Sequence, residues 1–322
     1  MKIKVSSYLY LILTFFIWGS YYVVSKFVLG KMPVLTVAEL RLAIAGIALF
    51  AIIELKKLPK IQKEDYKDVF LIGILGYFLA PDAQLLGIKF TTASISSLIN
   101  SLNPVLIMLM AAFFLKETLT ARKIIGIMMS LFGVCIILDL GGTISVAGIV
   151  LCFLSIMAWS LATIKIRKFA QKYDAIVLLA YTILVGFICN LPLEGYELVK
   201  TNLSIRIDLP CLCSLLYLGL VCTSIANYFW NKSLASIEAG TCSAFYPLQP
   251  LSSVALGIIF LGEQLTASFV AGAFVIVCGV VLSLFQKNTR PLTGRDRQHP
   301  RPHFLSGNFN DHFLSRHKNE GQ

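Results

Sequence analysis

Charge is what this chain has least of: only 14% of its 322 residues are Asp, Glu, Lys or Arg, against about 25% in ordinary globular proteins. Hydrophobic residues reach 57%, which excludes a soluble two- or three-domain protein of this length. Apolar stretches of about 18 or more residues recur from end to end, each long enough to cross a bilayer core about 30 Å thick as a helix. Period-two alternation is also missing, and open sheet edges cannot face lipid, so strands are excluded as spanning elements. No histidine occurs before residue 299, which excludes a His-based metal site in the spans. The eight cysteines contain no CxxC pair and read as small buried hydrophobes, with no metal or disulfide role. No GK[ST] P-loop is present, which argues against ATP-driven transport within this chain. No cofactor is expected.

What is there predicts an all-α integral membrane fold of ten transmembrane helices, at residues 8–25, 36–54, 69–88, 93–115, 122–139, 146–164, 175–193, 210–230, 239–261 and 266–286. The first span follows MKIK without a convincing A-x-A cleavage site, so it reads as a retained helix and not a signal peptide. With a cytoplasmic N-terminus, 22 of the 28 Lys and Arg fall on the cytoplasmic side and five on the other, with Arg41 inside a span. Positive charge held inside sets orientation, so both termini are predicted in the cytoplasm of a multi-pass inner-membrane protein. The net charge of +11 therefore reports topology and not a nucleic-acid partner. Even the basic loop KIRKFAQKYD, residues 165–174, suits anionic lipid better than nucleic acid. The tail, residues 287–322, holds all four histidines and no apolar run, and reads as disordered and cytoplasmic.

One phrase occurs twice. NPVLIMLMAAFFLKETLT at 103–120 returns as QPLSSVALGIIFLGEQLT at 249–266. A shift of 146 residues superposes Ala93 on Ala239, Pro104 on Pro250, Glu117 on Glu263, Thr120 on Thr266 and Gly133 on Gly279 without a gap. Trp18 and Trp159 hold similar places in the first and sixth spans. Two five-span halves follow, residues 7–140 and 145–286. A unit that crosses an odd number of times leaves its copy upside down, so the halves are predicted to be inverted repeats around a central site.

The paired phrase Ala93–Thr120 and Ala239–Thr266, Gly126 and Gly133, and Arg41 within ELRLAIAG resemble the drug/metabolite transporter superfamily, specifically EamA-type proteins with two EamA domains. The resemblance covers about residues 8–286. It implies a ten-helix bundle whose central cavity is lined chiefly by the first, third, fourth, sixth, eighth and ninth spans, and which moves small metabolites, often amino acids. One departure counts against a cationic-drug mechanism: the four-helix multidrug members resemble proton-coupled exporters with a carboxylate in their first helix, and residues 8–25 contain none.

Polar residues at membrane depth are the candidates for chemistry. Asp82 follows Pro81, where the proline frees a backbone carbonyl; the acid suits a proton or substrate site, or a cap on freed amides. Asn100 and Asn103, matched by Tyr246 and Gln249 under the 146 shift, are expected around the pseudo-axis. Trp18, Tyr21, Gln84, Trp159, Asn227 and Tyr228 supply aromatic walls and amides for an uncharged or zwitterionic solute, unless the aromatics form interfacial belts and the amides only join helices. Glu39 and Arg41 suit snorkelling or an inter-helix salt bridge. Pro104 and Pro250 are expected to kink their helices, while Glu117 and Glu263 read as hinge residues capping the amides of the next helix. Small residues such as Ala45, Gly46 and Ala48 allow close packing within the chain or in a homodimer.

These features point to a secondary transporter, an exporter, of a small organic solute such as an amino acid. A nucleotide-sugar or drug carrier is the nearer rival. An intramembrane lipid-modifying enzyme would need clustered carboxylates or a His pair, which the spans lack.

Overall fold

The computed structural model describes residues 2–90, 99–100, 102–137, 145–200, 207–249, 251–252, 256 and 267–284. Pro250, Glu263 and the tail of residues 287–322 lie outside the described residues. The described secondary structure is helical: α1 (Lys2–Leu29), α2 (Val34–Lys56), α3 (Tyr66–Gly73), α4 (Ala80–Phe90), α5 (Asn103–Leu115), α6 (Ala121–Ile137), α7 (Val146–Phe169), α8 (Ala175–Lys200), α9 (Leu209–Leu216), α10 (Ala226–Ser236), α11 (Ala239–Ser243) and α12 (Ala267–Leu284). Among the described residues, five stretches are long and apolar enough to cross a membrane: Val34–Lys56, Lys63–Gly87, Val146–Phe169, Ala175–Lys200 and Leu209–Ser236. Shorter apolar helices cover Val5–Tyr21, Asn103–Leu115 and Val270–Ser283. Large apolar side chains such as Phe113, Phe132 and Phe274 point outward, which suits a lipid surround and would be costly in water.

Two of the long rods are not uniform α-helix. Ile74–Leu79 joins α3 to α4 as a π-helix, and Tyr217–Ile225 joins α9 to α10 in the same way. The first wide turn ends just ahead of Pro81, which lacks an N–H. Ser155 of α7 donates to the nearby carbonyl of Ala80 at 2.7 Å. In the second, side chains reach carbonyls five residues back: Thr223 to Leu218 at 2.8 Å and Ser224 to Gly219 at 3.0 Å. Such side-chain donors compensate a carbonyl whose backbone partner has shifted.

Glycines set the close helix crossings. At Gly73 a Cβ would meet Val185 Cβ at 2.5 Å and the Thr182 carbonyl at 2.8 Å; at Gly219 it would meet Ile44 at 2.6 Å and the Arg41 carbonyl at 3.2 Å. The glycines are 146 residues apart, and the residues they touch, on α8 and α2, are 141 apart. The most extensive helix pairing joins α6 to α12. There Gly126 faces the Gly279 carbonyl at 2.5 Å and Gly133 faces that of Gly272 at 2.8 Å, as judged from where a Cβ would sit.

Chain ends of helices are satisfied by carboxylates from other elements. Lys116 closes α5 in the left-handed region, φ 55°, and turns the chain so that Glu117 points across the bundle. Its carboxylate accepts from the amides of Ala239 at 2.8 Å and Gly240 at 3.0 Å, the start of α11. Glu117 is therefore a cap, but on a helix from the other half of the chain and not on α6, which follows it. Helix starts leave amide hydrogens unpaired, and α11 has no side-chain cap of its own to use. Glu197 of α8 does the same for α2, accepting from Leu35 at 2.7 Å and Thr36 at 3.1 Å. Pro104 sits in the first turn of α5, where its missing N–H costs nothing.

Two ion pairs repeat the offset pattern. Lys31, between α1 and α2, pairs with Asp208 ahead of α9; Lys172, between α7 and α8, pairs with Asp65 ahead of α3. Hydrogen bonding to Lys31 first, and then to the Cys211 amide, holds the Asp208 carboxyl below its ordinary value of 3.8. A depressed carboxyl contributes stability above the unfolded value and loses it as pH falls through the folded one. Thermal midpoints in detergent are therefore expected to drop below about pH 4, with the drop smaller in Asp208→Asn; equal drops would remove this contribution. Lys172 is held above its ordinary 10.5 by Asp65, so its contribution is complete below that value and is lost as pH rises through the folded one.

Candidate functional site

Four elements bring aromatic rings together at the middle of the bundle. Trp18 of α1 lies 5.9 Å from Trp159 of α7 and 5.8 Å from Trp230 of α10, centroid to centroid. Tyr246, in the turn after α11, lies 5.8 Å from Trp230 and 4.8 Å from Phe15. All three tryptophans of the chain thus meet, which places them inside the bundle and not in an interfacial belt. The Trp159 indole donates to the Tyr246 hydroxyl. Trp18 Nε1 donates to the Cys222 carbonyl at 3.3 Å, a carbonyl within the second π-helix. Trp230 is fully buried and its Nε1 has no partner among the described residues. A buried indole N–H normally finds an acceptor, so this one marks a place where a polar group can be received.

Amides approach the same cluster. Asn227, one turn before Trp230, accepts from the Tyr77 hydroxyl at 3.5 Å and donates to the Thr223 carbonyl at 2.8 Å. Tyr77 in turn edges onto Trp159 at 6.4 Å. Gln249 is buried, and its carbonyl accepts from Ser252 Oγ at 2.9 Å. Gly19 lets α1 pass close over that segment, a Cβ there falling 2.8 Å from the Gln249 carbonyl.

The other sequence candidates have these surroundings. Asn103 Nδ2 donates to Asn100 Oδ1 at 2.6 Å, so this pair binds itself. Tyr228 packs on Phe229 and beneath Lys232, each at 5.8 Å. Tyr21 lies under the Arg41 guanidinium, 5.3 Å from ring centroid to Cζ. Asp82 is buried in the first turn of α4 with both carboxylate oxygens unpartnered among the described residues, and Gln84 is half-buried beside it. Glu39 is buried with both oxygens unpartnered and no salt bridge among the described residues. Pro250 and Glu263 lie outside the described residues.

Comparison with known proteins decides the family. The model of the EamA-like transporter family matches residues 5–139 and again 146–285. The chain belongs to that family. Relatives of this transporter include an uncharacterized transporter of Archaeoglobus fulgidus, 29% identical over 272 residues, 84% of this chain and 96% of that protein. Another is a probable amino-acid metabolite efflux pump of Salmonella typhimurium, 26% identical over 280 residues, 84% and 91% of the two chains. A solved crystal structure aligns with a TM-score of 0.75 at 19% identity, covering 87% of this chain and 97% of that one; at that identity the likeness concerns the fold. The family is one of transporters, not enzymes, and its apolar helices make this a multi-pass membrane protein.

Three members of the transporter's aromatic cluster escaped the sequence reading, Phe15, Trp230 and Tyr77. Trp230 had a legible signal, since it falls three residues after Asn227 and so shares its helix face. Tyr77 had none: its position depends on a π-helix that shifts the face of the rod.

Proposed function

We propose that the protein is a secondary transporter, an exporter, of a small organic solute such as an amino acid, working by alternating access around the tryptophan cluster. The observation that carries the reading is the convergence of Trp18, Trp159, Trp230 and Tyr246, with the unpartnered Trp230 N–H among them. Apolar walls with few polar groups suit a solute of modest polarity. The name of the Salmonella relative favours an amino-acid metabolite. A nucleotide sugar would want several cations for its phosphates, and Arg41 is the one cation that the sequence reading places inside a span.

The architecture proposed with it is two five-helix halves, residues 7–140 and 145–286, inverted with respect to each other in an inner membrane, with both termini cytoplasmic. In support, the Gly73 and Gly219 contacts recur with the glycines 146 and their partners 141 residues apart, and the Lys31–Asp208 and Lys172–Asp65 pairs with the lysines 141 and the aspartates 143 apart. Cysteines introduced at Lys116 and Gly262 are expected to label from opposite sides of sealed vesicles; labelling from one side would overturn the inversion.

The function is tested by comparing metabolites in cells with and without the protein, then measuring counterflow of the accumulated solute in proteoliposomes. Trp159→Ala is expected to reduce that flux by about tenfold, the loss of roughly 1.4 kcal/mol of contact, with the protein still monodisperse. Unchanged flux in Trp159→Ala and Trp18→Ala would move the solute site elsewhere.

A further inference from the structure

Away from the tryptophans, α2, α8 and the α3–α4 rod enclose a second polar group. Glu39 is 4% exposed, Asp82 5% and Asn190 0%. Both oxygens of each carboxylate, both amide atoms of Asn190 and Nε of Arg41 have no hydrogen-bond partner among the described residues. Helix register puts these groups at one level. Gly46 of α2 packs on Ile183 of α8, and Leu35 bonds Glu197, so the helices run antiparallel; seven residues from Gly46 is Glu39, and seven from Ile183 is Asn190. Tyr77 packs on Gly186, and four residues on from each are Pro81, next to Asp82, and again Asn190. Asp82 and Glu194 lie within electrostatic reach of Glu39, and Arg41 and Glu197 within reach of Asp82.

The charge count is unbalanced. A buried, uncompensated carboxylate costs several kcal/mol, and among the described residues two face a single guanidinium. Glu194 and Glu197, half-exposed on α8, add negative charge, and the α1 and α9–α10 groups near Arg41 are Tyr21, Tyr217 and Cys222. None of these supplies a second positive charge. Glu194 and Glu197 reach solvent; for the buried groups alone, Glu39, Asp82 and Arg41, one monovalent cation restores the balance, and the amide oxygen of Asn190, unpartnered among the described residues, is an added neutral ligand for it.

We propose that Glu39, Asp82, Asn190 and Arg41 form a second site, distinct from the tryptophan cluster, that takes up and releases one monovalent cation, a proton or a sodium ion, to drive transport. This rests on the transporter reading above and gives it an energy source. With a proton, one of the two carboxylates is held as the neutral acid and releases its proton when the chamber opens to water. With sodium, both stay ionised and the ion is held by carboxylate and amide oxygens.

The test uses the full-length protein in nanodiscs without solute. One arm measures saturable binding of radioactive sodium; the other measures the infrared carbonyl band of a buried carboxylic acid as pH is raised. One of the two signals is expected in the native protein and is expected to fall at least about tenfold in Glu39→Gln and in Asp82→Asn, while Glu64→Gln, exposed and remote, keeps it. A sodium signal selects sodium, and a titrating acid band selects the proton. Neither signal in the native protein, or a signal unchanged in both variants, overturns the site. Because no flux is measured, loss of the cation site leaves solute transport standing as exchange or uniport, and absence of flux with the cation signal intact fails the transport reading alone.

Discussion

Glu117→Ala is expected to lower the unfolding free energy by about 3 kcal/mol, because two hydrogen bonds to a carboxylate disappear and leave amide donors at a helix start. The carboxylate holds Ala239 and Gly240, and its Oε1 lies 3.9 Å from Nε of Arg167. The side chain is 10% exposed, so solvent screens these contacts little. Arg167 stays partly satisfied by the Leu234 carbonyl, which keeps the loss below that of a fully stranded charge. Glu117→Gln should lose roughly half as much, since an amide oxygen accepts one of the two bonds at neutral strength. Thermal unfolding of the purified protein in one detergent orders the three forms as native, Gln, Ala. A native-like midpoint for the alanine variant would contradict the cap.

The second large effect is expected at the α6–α12 crossing. Gly126→Val puts a branched carbon where the Gly279 carbonyl and the Ser283 amide already stand, 2.5 Å and 2.9 Å from a Cβ. Neither is a flexible side chain that can swing aside, so the helices must separate. Separation forfeits the close contact on which membrane helix pairs depend, since lipid competes for every apolar face. The cost is about 3 kcal/mol, the upper end of the usual overpacking range. Gly195→Ala supplies the contrast: nothing lies within 4 Å of its Cβ, and it sits inside α8, so helix propensity should raise stability by up to about 1 kcal/mol. Equal behaviour of the two variants would mean that the crossing does not depend on its glycines.

The same physics explains what could and could not be read ahead. The long apolar runs could only be helices, because lipid offers backbone groups no partners, and α2, α7 and α8 lie where hydropathy placed them. The recurring phrase carried the family, and the family model matches the chain in two stretches. Trp18, Trp159 and Tyr246 were each named from the sequence as cavity candidates, with an interfacial belt left open for the tryptophans; that their rings approach one another is a fact of the packing. Glu117 was legible as a cap by its position at a helix end, yet the helix it caps was not, since its partners are 122 and 123 residues away. Glu39 read as a snorkelling or salt-bridged residue; the structure buries it with no ion pair among the described residues.

Composition and periodicity alone determined the solvent of this protein, its helical class and the repetition of its halves, because each of these follows from local backbone and hydropathy requirements that are written in consecutive residues. Tertiary structure alone decided which tryptophans meet, which helix start Glu117 reaches, and that Glu39, Asp82 and Asn190 share one level. Those outcomes depend on the register between helices distant in sequence, set by glycine contacts and by two π-helices that rotate a rod partway along its length. A rotation of that kind leaves no periodic trace, so the site it builds becomes visible only once the helices are packed.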